Sequence, residues 1–189
     1  MNVSVIDAEF EAAFVEIMGD QTHYERVRAG LTFRNDHGLT PGEQFAVWLY
    51  TSTDNHWYFR INREHRDPPM TDCVRRVSEL LKSALAKLGR HAGRCYRGFH
   101  RMEDALTFMA KYSSGSEHVW RGFTSTTFDP FKAYDYNVLF IINSQNGRIL
   151  GPYADKPNED EVLFTDGTRF RVIASELHGD FVIIEMEEL

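Results

Sequence analysis

The chain has 189 residues, of which 42% are apolar and 26% charged, and its formal net charge is −7. That length and balance suit one folded domain, or one and a half, with a buried core, and they exclude disordered and fibrous classes. An excess of Asp and Glu (28) over Lys and Arg (21) speaks against a general nucleic-acid binder, and less strongly against a site that reads one basic side chain on a partner.

The opening MNVSVIDAEFEAAF is acidic and amphipathic, so a chain without a secretory signal, cytoplasmic as made, is expected. Ile6, Phe10, Phe14 and Ile17 fall at helical spacing, which predicts a helix over about 6–19, and a second short helix over about 21–29 ends at Gly30. Thr40-Pro41-Gly42-Glu43 is a capping box with proline at the first helical position, followed by Phe45, Trp48 and Leu49 on one face. Residues 55–65 predict another helix, and Asp67-Pro68-Pro69 breaks it. Val74, Val77, Leu81, Leu85 and Leu88 then mark the clearest helix, closed by Gly89.

After Gly93 the period shortens to β-rich runs: 94–99, 118–126, 137–143, 147–150, 161–164, 168–175 and 180–187, with one helix at about 103–111. Helices followed by strands, without alternation, indicate an α+β fold in a single domain over 1–189, helical to about 92 and β-rich from about 93. No apolar run is long enough to span a bilayer, so no membrane partner is expected. Cys73 and Cys95 stand far apart and suit reduced thiols, and the scattered histidines give a metal site no support.

Three short motifs stand out in the β-rich half. Cys95-Tyr96-Arg97-Gly98-Phe99 puts glycine inside a strand, where a ligand can lie against the backbone, beside an arginine whose planar fork suits a phosphate. Taken alone, an edge-strand arginine facing water is the simpler reading. Gly122-Phe123-Thr124-Ser125-Thr126-Thr127 places hydroxyls on one strand face, where they can fix a carboxylate, although an ordinary Thr-rich strand explains it too. Glu159-Asp160-Glu161 puts two glutamates at i and i+2, hence on one face if the strand has begun. Like charges there repel unless a cation or a reaction uses them.

In this order the motifs resemble the ADP-ribosyltransferases of the arginine–serine–glutamate type, found in bacterial binary toxins and effectors and in phage and vertebrate arginine-specific enzymes. That family shows an aromatic-Arg-Gly strand, a Phe-x-Ser-Thr-Ser strand and a Glu-x-Glu or Gln-x-Glu pair. The segment LTPGEQFAVWLYTSTDNHWYFRIN is similar to its helical stretch ending in Tyr, three residues and Asn. Here Thr127 replaces the last serine and keeps a hydroxyl.

The resemblance implies N-terminal helices packed on two antiparallel β-sheets that form a cleft for NAD⁺, the substrate, with no metal. It implies that Glu161 holds the ribose 2′-hydroxyl, Ser125 orients Glu161, Arg97 binds a phosphate or ribose, and the Gly98 backbone meets the nicotinamide amide. Tyr58 and Asn62 match cofactor contacts, and Thr126 falls with them. Phe128 and Phe131 are candidates for the nicotinamide side, with core or surface packing the equal alternative. Glu159 goes with arginine as acceptor in a target protein, and Tyr153 in the preceding loop is the expected aromatic contact for it. Hydrolysis of NAD⁺ by water, as in a glycohydrolase toxin, and a non-catalytic binding module are the competing readings. The setting implied is an effector, toxin or phage modifier, monomeric and delivered into another cell, with room for an activating host protein or a cognate immunity protein.

Overall fold

A computed structural model describes residues 14, 15, 31, 33, 34, 36–53, 56–133 and 136–189. The helices expected at about 6–19 and 21–29 lie outside the described residues, apart from Phe14 and Val15, which are helical. The chain divides into two compact units: one runs to Leu88 and takes in Pro152–Lys156, the other comprises Gly89–Gly151 and Pro157–Leu189.

The first unit holds α1 (Pro41–Thr51), α2 (Trp57–Arg66) and α3 (Asp72–Lys87). The capping box forms: Glu43 Oε2 accepts from Thr40 N at 2.6 Å, and Thr40 Oγ1 accepts from Glu43 N at 3.3 Å. Glu43 is buried and also accepts from the Ser83 hydroxyl and from Lys87 Nζ, so the same carboxylate that starts α1 fastens it to α3. Burial pushes its carboxyl up, but the bonds from Lys87, Ser83 and Thr40 outweigh this and hold it below the usual carboxylate range. Val74, Val77, Leu81 and Leu85 form the buried stripe of α3, and Phe45, Val47 and Ile61 are buried with them. The segment 152–156 joins this unit through Asp155, whose Oδ1 accepts from Trp48 Nε1 at 3.0 Å while its N donates to Thr51 Oγ1 at 2.8 Å.

The second unit holds β1 (Arg90–Phe99), α4 (Ala105–Lys111), β2 (Glu117–Trp120), β3 (Thr124–Thr127), β4 (Val138–Ile149), β5 (Glu161–Phe164), β6 (Thr168–His178) and β7 (Phe181–Glu188). The strands run in the order β1-β3-β5-β4-β7-β6-β2, with β1 also paired to β4. The α+β class holds. The two antiparallel sheets expected are joined into one seven-stranded sheet, because β4 and β7 pair in parallel while the other ladders are antiparallel.

The joint sits within β4, which pairs with β7 from Val138 to Asn143 and with β5 at Arg148 and Ile149. Between these stretches Ser144 Oγ donates to His91 O, and Gly147 N donates to Ser144 Oγ, both at 3.0 Å. Glu188 Oε2 accepts from Gln145 N at 2.6 Å and Asn146 N at 2.8 Å. Opposite them, β1 shifts register between His91 and Gly93. The runs 137–143 and 147–150 are therefore halves of one strand, which changes partner at this corner. The run 118–126 divides instead. Gly122, at φ 94, turns the chain between β2, an edge strand on β6, and β3, which lies between β1 and β5.

Candidate active site

Antiparallel pairing sets Thr127 opposite Glu161 and Ser125 opposite Leu163. Alternation gives Ser125, Thr127, Glu161 and Leu163 one face of the β3–β5 ladder, and Thr124, Thr126, Val162 and Phe164 the other. Val162 and Phe164 belong to the hydrophobic core, so the second face is the core side. Thr126 is buried there, its hydroxyl donating to Val162 O at 2.7 Å. Thr126, expected among the cofactor contacts, thus has its side chain on the core side of the pleat.

Ser125 and Glu161 share that face, and the Ser125 hydroxyl acts to lower the Glu161 pKa. Arg97, from β1, donates from Nη1 to the Ser125 carbonyl at 2.6 Å, so its guanidinium is anchored on the strand that carries this serine. Glu161 is 8% exposed. Burial pushes its carboxyl up to about 7 against the pull downward from the Ser125 hydroxyl, while the neighbouring Glu159 charge raises it and Arg97 lowers it. A carboxyl buried with a hydroxyl, a cation and a second carboxylate is poised to change protonation near neutrality.

Glu159 does not share a strand face with Glu161. It closes a 3₁₀ turn, Pro157–Glu159, and Asp160 sits in the left-handed region at φ 52, so the strand begins only at Glu161. The turn, rather than the pleat, brings the two glutamates together. Thr127 Oγ1 donates to Glu159 O at 2.9 Å and pins that turn to the end of β3.

Gly98 lies inside β1 opposite Leu139 of β4. Phe128, just past β3, stacks on His91, with ring centroids 5.6 Å apart and planes 19° from parallel. Phe131 is 95% exposed on the 3₁₀ turn Pro130–Lys132. His91 escaped the sequence reading, since nothing local ties a residue at the start of β1 to a ring beyond β3.

The remaining candidates belong to the helical unit. Tyr58 is half-exposed on α2, its ring edge-on to His56. Asn62 Nδ2 donates to the Tyr50 hydroxyl at 3.1 Å, while its Oδ1 is buried and accepts no hydrogen bond from the described residues. Tyr153 is buried, its hydroxyl donating to Asp36 and its ring edge-on to His37. Tyr153, expected as an aromatic contact for the acceptor, has both its ring and its hydroxyl engaged within its own unit. Among the described residues no group of three or more His, Cys, Asp or Glu side chains could hold a metal ion, and no helix is long and apolar enough to cross a membrane.

The sequence profile of the family described as NAD:arginine ADP-ribosyltransferase matches residues 7–189. A protein of Mycobacterium avium (strain 104), Mav, provisionally named an NAD(+)–arginine ADP-ribosyltransferase, is 28% identical over 158 residues, which is 80% of this chain. The chain spans only 18% of that relative's length. Among solved structures, the ADP-ribosyltransferase HopU1 of Pseudomonas syringae pv. Tomato DC3000 superposes with a TM-score of 0.76 at 14% identity, covering 100% of this chain and 98% of that one. Exoenzyme S of Pseudomonas aeruginosa, solved with human 14-3-3 protein beta and Carba-NAD, gives a TM-score of 0.73 at 19% identity, covering 96% and 88%.

Proposed function

Because the chain belongs to the NAD:arginine ADP-ribosyltransferase family, we propose that it transfers ADP-ribose from NAD⁺ to an arginine side chain of a target protein and releases nicotinamide. The observation that carries this reading is the buried Glu161, on one strand face with Ser125 and held in the field of Arg97. The bond from the ribose C1′ to the nicotinamide nitrogen breaks with its electron pair leaving on nicotinamide, and positive charge develops on the ribose. A fixed carboxylate in a site with little water stabilises that charge. Glu161 takes this role and holds the 2′-hydroxyl, with Ser125 fixing its orientation. Arg97, planar and permanently charged, binds a phosphate or the neighbouring ribose.

Glu159 serves the acceptor. A guanidinium has a pKa above about 12 and is a poor nucleophile while protonated. As its nitrogen bonds to C1′, Glu159 holds the guanidinium and takes the proton that must leave. Within the helical unit, Asn62 Oδ1 lacks a donor among the described residues, and an unpaired buried amide oxygen costs about 1–3 kcal/mol unless a ligand supplies one. Ribose hydroxyls and the carboxamide are such donors.

In this reading residues 1–189 work as one catalytic domain. The protein acts as an effector or toxin on proteins of another cell. A host activator fits the same picture, since the similar Exoenzyme S was solved with a 14-3-3 protein.

The test is to incubate the protein with NAD⁺ and agmatine, a small guanidine acceptor, and follow both nicotinamide and the ADP-ribosyl adduct. Wild type makes both. Glu161→Gln loses both by roughly a thousandfold, the scale at which a single transition-state-stabilising group acts. Undiminished transfer by Glu161→Gln would remove the assignment. Nicotinamide release without adduct would favour hydrolysis of NAD⁺.

A further inference from the structure

We propose that the ion pair between Asp160 and Lys132 is a positioning device. It ties the turn bearing Phe131 to the turn bearing Glu159, and so keeps the acceptor carboxylate aligned with the ribose carboxylate. This rests on the function proposed above and adds two residues that the motif reading left without a role.

Asp160 is the middle residue of the three consecutive carboxylates, and its left-handed φ of 52 separates Glu159 from the line of β5. Asp is tolerated in that region better than most residues other than glycine. Its side chain reaches Lys132 on the neighbouring turn. It accepts from Lys132 Nζ, and this raises the Lys132 pKa. The middle charge is thereby paired with a cation.

Two further bonds run between the same segments. Thr127 Oγ1 donates to Glu159 O at 2.9 Å, and Phe128 N donates to Asp160 O at 3.2 Å. Within 127–132 the chain is braced on itself. Asp129 N donates to Thr127 Oγ1 at 3.1 Å, Phe131 N to Asp129 Oδ1 at 3.0 Å, and Lys132 N to Asp129 O at 3.0 Å. Lys132 Nζ also lies 3.8 Å from Asp129 Oδ2. A displacement of the Phe131 turn would therefore be transmitted through Lys132 to Asp160, and from there to both glutamates.

The pair is partly exposed, with side chains 37% and 30% accessible. Such pairs contribute little to global stability, so breaking this one leaves the fold in place and the positioning effect can be read cleanly. Misplacing a reacting group by about an ångström can cost on the order of a hundredfold in rate. The loss should fall on transfer, which needs Glu159, rather than on release of nicotinamide to water.

The experiment uses Asp160→Asn, which suits the same left-handed backbone without the charge, together with Lys132→Met and the conservative Lys132→Arg. Adduct formation with agmatine, nicotinamide release without acceptor, and hydrogen exchange of the amides in 128–132 and 159–161 are all measured. Asp160→Asn and Lys132→Met should lower adduct formation roughly tenfold to a hundredfold. Nicotinamide release should change by less than about threefold, amide exchange in both segments should quicken together, and Lys132→Arg should retain transfer. Equal loss of both products, or exchange confined to the substituted segment, would overturn the proposal. A wild type that makes neither product would instead sink the functional reading, while the exchange data would still decide whether the two turns are coupled.

Discussion

The Glu161 carboxyl carries a cost that can be measured apart from catalysis. In the folded chain it keeps its proton up to about 7, whereas its ordinary value is 4.5. Between those values the folded state binds more protons than the unfolded state, so this group makes stability fall as pH rises. Glu161→Gln removes that loss. It should leave stability unchanged at pH 4 and raise it at pH 8 by roughly 3 kcal/mol, from the linkage of about 1.4 kcal/mol per pKa unit. Urea melts of both proteins at the two pH values check this, and parallel pH trends would show that Glu161 is not a buried acid. Ser125, Arg97 and Glu161 were legible because each sits in a short motif whose order is itself informative. The placement of Glu159 was not, since an aspartate permits a left-handed turn at 160 without requiring one. The inward aim of Thr126 follows from alternation once Ser125 is given the site face.

At the scale of elements, the corner of β4 decides where Glu161 stands, because β4 must change partner from β7 to β5 there. A Cβ on Gly147 would lie 2.6 Å from Val162 Cγ1 and 2.7 Å from Ser144 Oγ. Val162 is in β5 next to Glu161, and neither neighbour can swing away without loosening the core or the bulge. Gly147→Ala should therefore cost about 1–3 kcal/mol of stability, as overpacked cores do, and should reduce nicotinamide release as well. Thermal melts and the activity assay test the two halves of that statement; unchanged stability would mean that the corner relaxes freely. The sequence showed an interruption at 144–146 but not its cause, since the carboxylate that closes the bulge comes from Glu188, forty-odd residues on. The α1 capping box was readable from Thr40 and Glu43, which are three residues apart. The further bonds of Glu43 to Ser83 and Lys87 on α3 were not, because they depend on packing.

At the scale of the molecule, the change of period after Gly93 marked where helices give way to strands, and the two units divide at Leu88 and Gly89. What the pattern could not reveal is that Pro152–Lys156, deep in the strand half of the sequence, belongs to the helical unit. Side-chain partners far away in the chain put it there: Trp48 and Thr51 for Asp155, and Asp36 for Tyr153. The same segment leads directly into Glu159, the residue proposed to meet the acceptor. Glu159 on its turn and Glu161 at the start of β5 are proposed to serve two different partners, and the most direct test is the product partition of Glu159→Gln with NAD⁺ and agmatine. Nicotinamide release should stay within a fewfold of wild type while the ADP-ribosyl adduct is lost. Adduct formed at the wild-type rate, or both products lost together, would contradict this assignment.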